Sequence, residues 1–192
     1  MSYPNGKYNI PNSKIPTLFL GYEKGFGSSI SNYNFDLFKA QLYQNVNLSN
    51  KGDLTYYLKA GVFNNADNIA FIDYHHFNGN QTNIVMDGNY INSFKILPYY
   101  DLSTNNNYAE IHAEHNFKGY ILNKIPLINK LNYNLVLGYN AALTKENKPY
   151  NEFSIGLSNL GWGKVRFLRV DYVRAYSGSG LVNDTFLFGF SF

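Results

Sequence analysis

Residues 183–192 read N-D-T-F-L-F-G-F-S-F, with Phe186, Phe188, Phe190 and Phe192 on every second position. A β-strand turns alternate side chains to opposite faces, so one face of this stretch is wholly aromatic. The other face carries Thr185, Leu187, Gly189 and Ser191. In a soluble protein such a stripe needs a second layer to cover it, whereas in a transmembrane β-barrel it faces lipid. The fold therefore turns on whether the rest of the chain repeats the pattern.

Upstream of the turn at Ser177, Gly178, Ser179 and Gly180, the alternation continues. In 164–176, Leu168, Val170 and Tyr172 oppose Arg169, Asp171 and Val173. In 150–160, Phe153, Ile155 and Leu157 oppose Glu152, Ser154, Gly156 and Ser158, and in 131–143 Leu135, Leu137 and Tyr139 oppose Asn134, Gly138 and Asn140. In 108–117, Glu110, His112, Glu114 and Asn116 share the polar face. Residues 54–63, 34–48 and 16–24 alternate in the same way, with Lys59 at mid-strand in the first of these. Two less regular stretches, 69–76 and 89–100, are read as further strands, the second limited by Pro98. Residues 118–130 read as a turn with one short amphipathic helical segment, because Pro126 interrupts the helical spacing of Ile121, Leu122, Ile125 and Ile128.

The composition suits many strands joined by polar loops. Among 192 residues there are 18 Tyr, 15 Phe and 29 Asn, pairing a strand former with a turn former. A mean hydropathy of −0.31 and the lack of any run near the roughly 20 apolar residues of a helical span argue against a helical membrane protein. The net charge of +3 is mild, and the 16 Lys and Arg form no basic tract, so nucleic acid is not an expected partner. With no Cys, disulfides and Cys-based zinc sites are excluded.

Alternation alone does not say which face points inward. The polar faces are rich in Gly, Ser, Asn and Tyr with isolated charges, and the chain is only 15% charged, against about 25% in ordinary soluble domains. The sequence therefore predicts an all-β fold: an antiparallel transmembrane β-barrel of about ten strands over residues 15–192, after a lead-in at 1–14. That lead-in lacks the features of a secretory signal. An exported barrel needs one, so the chain is expected to be the later strands of a larger barrel. Strand parity puts loops 25–33, 64–68, 103–107, 144–149 and 177–182 outside, and 49–53, 77–89, 118–130 and 159–163 on the periplasmic side.

Several motifs carry a family resemblance. They are Gly79, Asn80, Gln81 and Thr82; L-P-Y-Y-D at 97–101; Y-A-E-I-H-A-E-H-N-F-K-G at 108–119; and I-L-N-K-I-P-L at 121–127. With P-T-L-F-L-G-Y-E-K-G at 16–25 and L-R-V-D at 168–171, the sequence resembles the C-terminal part of a family of Bacteroidota outer-membrane proteins. These carry an N-terminal carboxypeptidase-like regulatory domain followed by a domain of unknown function. The resemblance implies a surface-antigen-type barrel, distantly akin to barrel-assembly insertases, with no peptidase activity. Two features depart from the pattern: His115-Asn116 stands where the family often has two adjacent His, and the Arg-Gly-Phe or Arg-Gly-Tyr of an insertase lumen loop is missing. The Phe186, Phe188, Phe190 and Phe192 row resembles the C-terminal signal read by barrel-assembly machinery, with Leu187 at its usual Gly position.

The chemistry-bearing residues read as a lumen network rather than an active site. Lys59, Glu110, His112, Glu114, Glu152, Arg169 and Asp171 fall on polar faces, where pairing, with Lys39 among the cations, would balance charge and fix register. His112 and Glu114, with His75 and His76 elsewhere, do not make the three converging ligands of a zinc site. Asp73, His75 and a loop Ser could be assembled into a hydrolase site only on paper, and no Gly-x-Ser-x-Gly occurs. The expectation is a non-enzymatic outer-membrane protein without cofactor. Its partners would be outer-membrane lipid, the assembly machinery and an upstream part of the same polypeptide. A small outer-membrane lipid hydrolase and a soluble ligand-binding barrel are the alternatives, the latter requiring the aromatic faces to point inward.

Overall fold

Alternation of side chains along extended segments produces one sheet. In a computed structural model, which describes residues 15–26, 33–86, 91–163 and 165–190, the strands are β1 (Thr17–Gly25), β2 (Phe35–Asn47), β3 (Asp53–Asn64), β4 (Ile84–Met86), β5 (Tyr108–Asn116), β6 (Asn134–Thr144), β7 (Tyr150–Trp162), β8 (Val165–Ser177) and β9 (Gly180–Phe190). They form a nine-stranded sheet in the order β1-β2-β3-β5-β6-β7-β8-β9-β4. Every neighbouring pair is antiparallel except β4 and β9. The lead-in at 1–14 and Phe192 lie outside the described residues.

Register aligns the apolar positions into one continuous face. Leu20 pairs with Ala40, Ala40 with Ala60 and Ala60 with Ala109. Further along, Leu137 pairs with Ile155, Ile155 with Tyr172 and Tyr172 with Phe186. This face is open: Leu20, Phe38, Val62, Leu137, Phe153, Ile155, Phe186 and Phe188 are all exposed. The opposite face is where the core sits, Tyr108, Val136, Tyr150, Val173, Ala175 and Leu187 being buried there. A single-residue slip would exchange the two faces, so the pattern itself specifies the register.

What covers the inner face is the connection between β3 and β5, residues 65–107. It leaves and returns at the same end of the sheet and packs Ile69, Phe77, Phe94, Ile96 and Leu97 onto the strands. His75 stacks on Tyr108 with ring centroids 3.5 Å apart, and Phe94 meets His112 and Tyr150 edge-on at 4.8 and 5.8 Å. Deep in its course β4 adds to the edge of β9, Ile84 pairing with Phe188 and Met86 with Phe190.

This connection corrects the sequence reading in three places. The strand expected at 69–76 is instead a 3-10 turn, Phe71–Asp73, followed by an isolated bridge from His75 to Thr104. No strand forms among described residues 91–100, where the chain is held by contacts to the sheet, and among the described residues of the connection the one strand is the short parallel β4. Residues 77–86 are consequently not a turn between two long strands, and the sheet is not antiparallel throughout. The 118–130 region does contain short helical turns, Leu122–Lys124 and Ile128–Leu131.

Candidate functional site

Polar residues on alternate positions of adjacent strands are brought abreast by the register. Glu110, His112 and Glu114 all point inward from β5, and His112 pairs with Asn140, which pairs with Glu152. Gly156 pairs with Asp171, and a Cβ at Gly156 would overlap the Asp171 carboxylate. Gly138 likewise leaves room for Ser154 Oγ and Lys95 Nζ. The glycines of the inner face make space for charge.

Glu152 is the anchor for the connection. Its Oε2 accepts from Lys95 N at 2.7 Å and Asn140 Nδ2 at 2.9 Å. Its Oε1 accepts from Ile96 N at 2.9 Å and Tyr150 Oη at 3.0 Å. A buried carboxylate is costly unless its lone pairs are filled, and here two consecutive backbone N–H groups of 65–107 help to fill them. The wall therefore grips the connection by its main chain.

The Lys95 side chain reaches further down. Its Nζ donates to Ser154 Oγ at 2.9 Å and lies 3.5 Å from Glu114 Oε2 and 3.9 Å from Asp171 Oδ1. Arg169 holds the same two carboxylates, donating through Nη1 and Nη2 to Glu114 at 2.9 and 2.7 Å, and through Nε and Nη2 to Asp171 at 2.7 and 2.8 Å. Paired guanidinium donors match carboxylate geometry and fix both partners.

At the other side of His112 stands Glu110. Its Oε1 lies 2.8 Å from His75 Nε2, and its Oε2 lies 3.0 Å from His112 Nε2 and 3.3 Å from Lys59 Nζ. His112 Nδ1 lies 3.0 Å from Asn140 Oδ1, so both of its ring nitrogens face oxygen atoms. The carboxylates Glu110, Glu114, Glu152 and Asp171 outnumber the fixed cations Lys59, Lys95 and Arg169 by one, and His75 and His112 both stand against Glu110.

Lys59, Glu110, His112, Glu114, Glu152, Arg169 and Asp171 thus lie on the same inner face, joined through Asn140 and Lys95. Lys39 does not join them and pairs with Glu23 at 2.5 Å near the edge of the sheet. Asn140 and Ser154 were readable as members of polar faces. Lys95 and His75 were not, because the connection that carries them has no periodicity. Gly79, Asn80, Gln81 and Thr82 play another part: Asn80 Oδ1 accepts from Thr82 N at 2.9 Å, Asn80 Nδ2 donates to Lys95 O at 3.2 Å, and Asn80 N donates to Leu97 O at 2.8 Å. The motif ties one arm of the connection to the other.

Phe186 and Phe188 stand exposed on the outer face, and Phe190 stacks on Phe167 at 5.9 Å. Among the described residues no group of three His, Cys, Asp or Glu converges as a metal site. His76 Nδ1 lies 2.8 Å from Ser103 Oγ, whose hydroxyl donates to Tyr100 O at 2.8 Å. That hydroxyl is committed to a backbone acceptor, unlike a nucleophile facing its base. His75 is engaged with Glu110, and His115 Nε2 lies 3.0 Å from Lys51 O.

No curated protein and no solved structure matches the chain. A family model does, over residues 1–157, reaching from the N-terminus into β7 and stopping short of Arg169, Asp171 and the final strand. With that share of its length matched, the chain belongs to the family of unknown function DUF5686, as its C-terminal domain.

Proposed function

We propose that this domain is the lipid-embedded wall of a non-enzymatic outer-membrane β-barrel, with residues 65–107 as a plug latched to its inner face. The observation that carries the reading is the inversion of faces: apolar side chains are exposed across the sheet while the charged ones are buried behind it. That is the arrangement of a membrane barrel and the reverse of a soluble sandwich. The 11–13 residues of β6, β7, β8 and β9 also suffice for a tilted crossing, which takes about 9–11. A soluble ligand-binding barrel would turn Phe186 and Phe188 inward, and their exposure counts against it.

The edge of β1 that faces away from β2, and the edge of β9 that faces away from β8 over residues 180–187, have no strand partner among the described residues. Open edges invite pairing, and strands from an upstream part of the polypeptide would close the wall. In this reading the domain serves outer-membrane transport or assembly in a surface-antigen-type barrel of Bacteroidota that bears a carboxypeptidase-like regulatory domain. Its other partners are lipid and the barrel-assembly machinery. Fractionation tests the proposal: the protein should be extracted only with detergent and migrate differently on a gel before and after heating. A monomer soluble in plain buffer would overturn it.

A further inference from the structure

The last strand already has a second neighbour at one end. β4 runs beside β9 over three residues, Ile84 against Phe188, Val85 against Gly189 and Met86 against Phe190, and Phe188 N donates to Asn83 O at 2.8 Å. Ile84 is exposed like Phe188, and Val85 is buried, so β4 keeps the two faces of the sheet. It is a piece of the wall supplied by the plug.

The motif at Gly79, Asn80, Gln81 and Thr82 puts it there. Thr82 Oγ1 donates to Ile84 O at 2.8 Å, and Thr82 N is held by Asn80, which bonds in turn to the carbonyls of Lys95 and Leu97. A Cβ at Gly79 would overlap Leu97 O, so this close approach requires glycine. Glu152 grips Lys95 N and Ile96 N. A chain of hydrogen bonds thus runs from a buried carboxylate of β7 to the edge of β9.

Beyond β4 the same edge is open. Backbone groups point to alternate edges along a strand, so Asp184 and Phe186 turn their N–H and C=O to the side on which Phe188 meets β4. Among the described residues no strand lies there over 180–187, and unpaired main-chain groups are not tolerated in a bilayer. The eight long strands are antiparallel in turn, so β1 and β9 run in opposite directions, and they are not paired with each other. An antiparallel closure therefore takes an even number of added strands, one of them antiparallel to β9.

Resting on the reading of the sheet as a membrane wall, we infer that residues 180–187 of β9 dock the first strand of the upstream polypeptide, which begins opposite Leu187 because β4 holds the edge from Phe188 onward. The seam of the barrel is shared between that strand and the plug. Strand addition of this kind takes its hold from main-chain hydrogen bonds, which an extended segment supplies.

Disulfide mapping in the complete polypeptide, assembled in its outer membrane, tests this, since the chain has no Cys of its own. Single cysteines are scanned through the upstream part, residues 1–14 and β1, against Asp184→Cys, or against Phe186→Cys where the former does not show heat-modifiable migration. A disulfide confined to one narrow upstream register is expected, and Ile84→Cys should bond to Phe188→Cys in the same assembled protein. Four results would overturn the inference: a disulfide from β9 to β1, one to residues 1–14, none to any upstream position, or an upstream cysteine bonding to Phe188→Cys in place of Ile84→Cys. Each of them leaves the membrane wall standing, which falls only if the protein is a monomer soluble in plain buffer.

Discussion

On β7, Phe153 and Ile155 are 53% and 51% exposed, while Glu152 and Ser154, one position away from each, are 1% and 8% exposed. The same thirteen residues thus present two surfaces with opposite physical requirements. The inner side buries charge, and each carboxylate there has to be filled by donors from neighbouring strands or from the plug. The outer side has no such demand, and its apolar side chains stand uncovered. A sheet built this way has its specific contacts inside and its non-directional ones outside.

Glu152→Ala should break the inner side most severely. Lys95 N, Ile96 N, Asn140 Nδ2 and Tyr150 Oη lose their shared acceptor together, and a loss of about 3–5 kcal/mol is expected. Denaturant titration of the folded chain measures it, and trypsin should then cut at Lys95. A variant as stable and as resistant as the parent would mean that the latch does not hold the plug.

On the outer side, Ile155→Arg discriminates between media. In lipid vesicles it should cost about 2–4 kcal/mol, the penalty for a cation facing the bilayer interior. A change within about 0.5 kcal/mol would place the face in water. Gly156→Val sharpens the comparison from within, since its side chain would displace the Asp171 carboxylate and meet the Val170 carbonyl. A loss of about 1–3 kcal/mol is expected from this overpacking, and the same midpoint shift reports it. Least should follow from Lys39→Ala: both partners of the Lys39–Glu23 pair are half exposed, so the midpoint should not move measurably. A large shift would extend the network to the edge of the sheet.

The strands were legible because a half-buried strand has a two-residue period that survives without knowledge of its neighbours. Residues 108–117 became Tyr108–Asn116, 54–63 became Asp53–Asn64 and 150–160 became Tyr150–Trp162. Glu110, Glu152, Arg169 and Asp171 were legible as charges on polar faces for the same reason. Residues 69–76 and 89–100 misled because their apolar residues pack singly into the wall, from a segment with no ladder of its own. Their conformation is set by distant partners such as Glu152 for Lys95 and Tyr108 for His75.

The sequence by itself determined an all-β chain, the position of nearly every long strand and the division of each into an apolar and a polar face, because these depend only on local alternation. Only the tertiary structure decided which face is buried, which strand lies beside β9 and what the buried charges hold. Those outcomes depend on contacts between residues far apart in the chain, such as Lys95 with Glu152 and Ile84 with Phe188. No local period encodes such contacts. Phe186 and Phe188 of the last strand are the clearest case: their alternation was plain from the sequence, but their outward direction came from the connection that occupies the other side.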